Sequence, residues 1–188
     1  MQKKVMLGAT LGALLFMAGC TTPPPPPPPK PEPAPVVQTY SWTTQLEALK
    51  KALEDSTRGS SIRIVKTDDN RLQVILPADT SFDVGRSAVK LKLAPVLDQI
   101  AAGLQKNPAI AIYVVGHTDS TGGATINEKL SVARANSVRD YLSTRGLAVN
   151  QIAVEGKGAA DPIAENTSAA GRAQNRRVEI FVGERTKR

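Results

Sequence analysis

One cysteine, one histidine and an aromatic content of 4% leave this 188-residue sequence little with which to build thiol, imidazole or ring-stacking chemistry. Because Cys20 is the only cysteine, no internal disulfide can form. Because His117 is the only histidine, neither a Cys/His nucleophilic pair nor a multi-histidine metal centre can be assembled. His117 itself reads as a packed or hydrogen-bonded residue at a strand end rather than a catalyst. No nucleophile-elbow motif supports a Ser/His/Asp site. P-loop and GxGxxG patterns are also absent, so Gly122-Gly123 is a flexible turn rather than a phosphate cradle. The formal net charge of +7 is spread along the chain, without a basic run interleaved with aromatics, and nucleic acid is not an expected partner. The apolar stretch Val5 to Ala18 holds fourteen residues, short of the roughly 20 that cross a bilayer. Outside the globular part there is no series of alternating barrel strands, which excludes a porin. The chain is expected to be no enzyme, with no catalytic residue, no cofactor and no metal.

What is present begins with a leader. Lys3-Lys4, the apolar stretch after them and the small pair Ala18-Gly19 read as a secretory signal over residues 1–19. Without Lys3 and Lys4 the net charge is +5. The segment Leu15-Phe16-Met17-Ala18-Gly19-Cys20 resembles a bacterial lipobox, with Met17 in place of the usual leucine. That resemblance implies cleavage before Cys20, acylation of Cys20 and stable attachment to membrane lipid. Thr21, rather than aspartate, after the cysteine favours the outer membrane by the same resemblance. Residues 20–39 form the next unit, with seven consecutive prolines from Pro23 to Pro29. Such a run can form neither helix nor sheet and favours extended polyproline II. At about 3.1 Å per residue the segment reaches roughly 60 Å, enough to hold a domain clear of a membrane.

Over residues 40–58, Trp42, Leu46, Leu49 and Leu53 recur at helical spacing, which predicts a short amphipathic helix. It is expected to dock on the following domain, with weak self-association or an envelope protein partner through residues 42–53 as alternatives. The globular domain is expected over residues 60–184. Ser61–Lys66 and Arg71–Leu76 alternate around Thr67-Asp68-Asp69-Asn70, a hairpin signal. A helix is predicted from Leu93 to Lys106, a strand from Ala109 to Val115, a strand from Ile152 to Gly156, a polar loop from Lys157 to Ala173 and a last strand from Arg177 to Val182. The order β-α-β-α-β-β with an additional N-terminal hairpin strand gives an α/β fold, an α+β sandwich of one mixed sheet with helices mainly on one face.

The central stretch, Gly116 to Leu142, runs from a strand end through a polar turn into a long amphipathic helix. Apolar residues at Ile126, Leu130, Ala133, Val138, Tyr141 and Leu142 define the predicted core-facing arc. Arg134 projects between Leu130 and Val138, and Asn127 lies beside it. The residues three and four places from Arg134 are Leu130, Ser131, Ser137 and Val138, so no carboxylate on its own helix can pair with it. A buried guanidinium needs a partner from elsewhere, because leaving it unpaired is costly. Asp119, at the mouth of the turn, is the candidate. Either the two pair directly, or they are held apart and clamp a zwitterion between them.

A wider pattern joins these residues: Thr118-Asp119, then Asn127, Leu130-Ser131, Arg134-Ala135 and Val138, then Gly171-Arg172-Ala173, Asn175-Arg176-Arg177-Val178-Glu179-Ile180. Spread over roughly Leu72 to Val182, it resembles the OmpA-like peptidoglycan-binding domain, also found in peptidoglycan-associated lipoproteins and flagellar stator proteins. The resemblance implies that the residues matching Asp119 and Arg134 grip the diaminopimelate of the cell-wall peptide, whose side chain carries its own ammonium and carboxylate. It makes Thr118 and Asn127 ligand-orienting residues and Asp83 a residue of the pocket border. Of the adjacent arginines, strand alternation allows only one easy access to the pocket. Motif position selects Arg176, and Arg177 is expected to be a solvated charge. The implied partner is peptidoglycan, and the implied place is the outer membrane with the domain in the periplasm.

Overall fold

The apolar strand Ile110–Gly116 (here β4) lies between two other strands, antiparallel to one along its whole length and parallel to the other from Ile112 onward. The computed structural model describes residues 38–105 and 107–186. The signal, Cys20 and the proline run lie outside the described residues. The remaining elements, in chain order, are β1 (Tyr40–Ser41), α1 (Thr44–Ser56), β2 (Arg63–Lys66), β3 (Leu72–Pro77), α2 (Ala78–Ser81) and α3 (Ala94–Leu104). After β4 come α4 (Ala124–Thr144), β5 (Ile152–Gly156), α5 (Ala169–Asn175) and β6 (Arg177–Arg185).

The strands run in the order β2-β3-β6-β4-β5, with β1 pairing the end of β6. Among the described residues only the β4–β5 pair is parallel, and α4 supplies its crossover. The sheet is therefore mixed, as its predicted order requires. Leu72, Val74, Leu76, Ile112, Val114, Val178, Ile180 and Val182 are buried against α1, α3 and α4. Gln73, Tyr113, Glu179 and Phe181 alternate onto the other face.

α1 starts one residue after Thr43, whose hydroxyl accepts from the Leu46 amide. Tyr40–Ser41, expected within that helix, instead add a strand against Arg185 and Glu184. Leu46, Leu49 and Leu53 are buried in the common core, and a Cβ on Gly103 of α3 would lie 2.8 Å from Leu49 Cδ1. The leucine stripe considered for self-association is thus spent inside the domain. Each such leucine contributes about 1.5–3 kcal/mol by leaving water.

α4 lies unusually close to the sheet. A Cβ on Gly116 would meet the Ser131 carbonyl oxygen at 2.1 Å, and one on Gly156 would meet the Val132 amide nitrogen at 2.4 Å. Glycine at the ends of both parallel strands lets the helix backbone rest on them. The buried residues of α4 are Asn127, Ser131, Arg134, Ala135, Val138 and Leu142. Ile126, expected to face the core, is exposed, because the helix turns its polar Asn127 and Ser131 inward in the first turns. The predicted loop 157–173 also contains the start of α5, capped by Ser168, whose hydroxyl accepts from the Gly171 amide at 2.9 Å.

Candidate functional site

Beyond β4 the chain is fixed by backbone bonds to two neighbours. The His117 amide donates to the Arg177 carbonyl (2.9 Å), and the Thr118 amide donates to the Gly158 carbonyl (2.8 Å). Asp119 then opens the turn, its Oδ1 accepting from the Thr121 amide at 2.8 Å, an Asx turn. Asn127 braces the same turn from α4 by donating to the carbonyls of Thr121 (3.0 Å) and Asp119 (3.3 Å). Its amide nitrogen therefore orients the loop that carries Asp119. Ser131 ties α4 to the next loop, donating to the Glu128 carbonyl and accepting from the Gly158 amide.

These elements surround a cleft of about 280 Å³. Thr118, Asp119, Asn127, Arg134 and Arg176 all line it, with Asp83 at the border, 3.2 Å from Lys90 Nζ. The Thr118 hydroxyl is buried and has no partner among the described residues.

Arg134 is 4% exposed. Its Nε donates to the Arg86 carbonyl at 3.1 Å, and its guanidinium lies over the Phe82 ring, 5.3 Å from the centroid. Among the described residues it forms no ion pair, and its two terminal nitrogens have no hydrogen-bond acceptor. Asp119 and Arg134 are thus held apart. The carboxylate is paired instead with Arg176, whose Nη1 reaches Asp119 Oδ2 at 2.6 Å. Arg176 also grips Asp79 as a fork, Nε to Oδ1 at 2.8 Å and Nη2 to Oδ2 at 2.6 Å.

Asp79 was not legible as a site residue. It sits on α2, a single turn in the segment that reads as a pattern break after β3, and only the fold brings it to the end of α5. Arg177, expected as a solvated charge, is instead buried on the opposite face of the sheet, with Nε donating to Glu179 Oε1 at 2.6 Å and terminal nitrogens reaching the carbonyls of Asn175 and Asp161. Loop 157–168 reaches back over that face, which is why the expected solvated charge is enclosed.

The electrostatics follow the contacts. Burial opposes ionisation of Asp119, but the Arg176 hydrogen bond and the Thr121 donors outweigh it and hold the carboxyl below its usual value. The Arg176 hydrogen bond lowers Asp79 in the same way. Burial lowers Arg134, partly offset by the charge of Asp79, and leaves it a cation. Asp79, Asp119, Arg134 and Arg176 meet in the cleft, with the paired Asp83 and Lys90 at its border, and among these charges only the terminal fork of Arg134 has no partner in the described residues. Chemically, the free fork of Arg134 offers donors that suit a carboxylate, and Asp119 offers acceptors that suit a cationic donor. Among the described residues no group of three or more His, Cys, Asp or Glu side chains is arranged for a metal.

Residues 81–176 match the OmpA family. Probable lipoprotein YiaD of Escherichia coli (strain K12) is 38% identical over 135 residues, covering 72% of this chain and 61% of that protein. Outer membrane protein A of Bordetella avium is 46% identical over 114 residues, covering 60% of this chain and 59% of that protein. The chain therefore aligns with about three fifths of the length of these curated relatives. Among solved structures, the cell wall anchor of the T6SS from Pseudomonas aeruginosa superposes with a TM-score of 0.62 at 34% identity, covering 74% of this chain and 96% of that one.

Proposed function

The chain belongs to the OmpA family, and from that premise we propose that it binds peptidoglycan non-covalently and tethers the outer membrane to the cell wall. Family membership makes the domain a structural, wall-binding module rather than an enzyme. In this reading the carboxylate of diaminopimelate docks on the terminal fork of Arg134 and its ammonium on Asp119. Thr118 offers its hydroxyl, Asn127 holds the turn, and Arg176 completes the charge balance. Acylated Cys20 anchors the chain in the outer-membrane lipid, and the proline-rich segment spans the gap to the periplasmic domain. The observation that carries the reading is the separation of Asp119 from Arg134 across one cleft, with the Arg134 fork unspent.

A second reading is supported by the likeness to a T6SS wall anchor: the same domain attaches an envelope or secretion assembly to the wall. Recovery of a stoichiometric envelope complex with the full chain would favour it. Both readings share the wall-binding step, which is tested by co-sedimentation of detergent-solubilised full chain with purified sacculi. Wild type is expected to pellet, and Asp119→Ala and Arg134→Ala to stay in solution while keeping wild-type circular dichroism. Folded Arg134→Ala protein that pellets like wild type would contradict the proposed clamp.

A further inference from the structure

The cleft contains more charge than a zwitterion clamp requires: Asp83 and Lys90 pair at its border, and Asp79 and Arg176 form a second surplus pair, the one that touches Asp119. Arg176 faces two carboxylates at once. It gives Asp79 a two-bond fork through Nε and Nη2, and it gives Asp119 a single bond through Nη1. Planar guanidinium prefers the fork, so the position of Asp79 fixes which carboxylate receives it. With Asp79 present, Asp119 keeps one oxygen on the Thr121 amide and shares the other with a single guanidinium nitrogen. Carboxylate oxygens accept more than one donor, so an incoming ammonium can still join Asp119.

Resting on the diaminopimelate clamp described above, we propose that Asp79 is a specificity-determining residue: by engaging Arg176 as a fork it keeps Asp119 open to an ammonium, so the cleft selects a zwitterion over a simple carboxylate. Without the Asp79 charge the four-residue set changes from neutral to net positive. Arg176 then loses its fork partner, and Asp119 is the carboxylate already in contact with it. The fork turns to Asp119, the ammonium position closes, and two guanidiniums remain to attract any carboxylate. Asp79 thereby acts through Arg176 and needs no contact with the ligand.

The test compares meso-diaminopimelate, which offers ammonium and carboxylate together, with pimelate, which offers carboxylates alone, by calorimetric titration of the full chain. Wild type is expected to prefer meso-diaminopimelate. Asp79→Asn is expected to lower that preference by about tenfold, mainly through weaker diaminopimelate binding. The double variant Asp79→Asn/Arg176→Gln is expected to regain it, because removing the displaced guanidinium reopens Asp119. A merely structural Asp79 would weaken both probes equally and would not be rescued by a second substitution. An unchanged preference in folded Asp79→Asn, or absence of rescue in the folded double variant, would overturn the inference while leaving the clamp intact. Failure of wild type to prefer the zwitterion would overturn the clamp and this inference together.

Discussion

Replacing Gly116 by alanine tests how the site-bearing helix is seated. The added Cβ would lie 2.1 Å from the Ser131 carbonyl oxygen and 2.8 Å from its carbon. Real Cβ contacts stay above about 3 Å, so α4 and β4 must separate by roughly 1 Å. The opposing atoms are backbone, so no rotamer change relieves the clash. Overpacking costs about 1–3 kcal/mol, and the upper part of that range applies where only a whole helix can move. For a domain of this size about 3 kcal/mol lowers Tm by roughly 6–12 °C. The same displacement carries Asn127 and Arg134 away from the turn of Asp119. Gly103→Ala is the matched comparison, since its Cβ meets the mobile end of Leu49 at 2.8 Å. Thermal denaturation followed by circular dichroism should therefore rank Gly116→Ala well below Gly103→Ala. A Gly116→Ala protein within about 1 °C of wild type would refute the close seating of α4 on the sheet.

Other consequences are measurable in the same way. Glu179→Gln leaves Arg177 enclosed without its counter-charge, and should cost about 3 kcal/mol in urea denaturation. Leu53→Ala in α1 should cost about 2–5 kcal/mol, showing that this helix is part of the core. His117 is 1% exposed and neither ring nitrogen has a partner among the described residues. Burial first, and the Arg177 charge second, lower its pKa from 6.5 to about 4, against the opposite pull of Glu179 and Asp161. The unfolded chain therefore takes up a proton below pH 6.5 that the folded chain refuses. Stability should be full above pH 6.5 and fall by no more than about 3 kcal/mol as pH drops towards 4. His117→Gln should flatten the upper part of that slope, above about pH 5, since the lowered carboxyls Asp79, Asp98, Asp119 and Asp161 lose their contribution only below it.

The sequence-readable parts are those decided by short-range pattern. Alternation located β2, β3 and β6, a continuous apolar run located β4, and helical spacing located α1 and α3. Arg134 was legible because no carboxylate lies three or four places from it on its own helix, and that absence is visible between Leu130 and Val138. Arg177 was misread because strand alternation says only that two arginines diverge, whereas burial on the second face depends on a loop returning from residue 157 onward. Asp79 was missed for a related reason. Its partner, Arg176, lies 97 residues away, and α2 is too short to carry a periodic signal. Ile126 shows the converse error, since the first turns of α4 bury Asn127 and Ser131 to hold loops, and the apolar residue beside them faces out.

The central claim is the placement of a zwitterion between Asp119 and Arg134, and a crystal structure of the protein with a diaminopimelate-containing muropeptide tests it most directly. The account predicts the side-chain carboxylate of diaminopimelate within hydrogen-bond distance of the Arg134 terminal nitrogens and its ammonium on Asp119, with Arg176 still forked to Asp79. A muropeptide bound elsewhere, or bound here with its ammonium remote from Asp119, would contradict it.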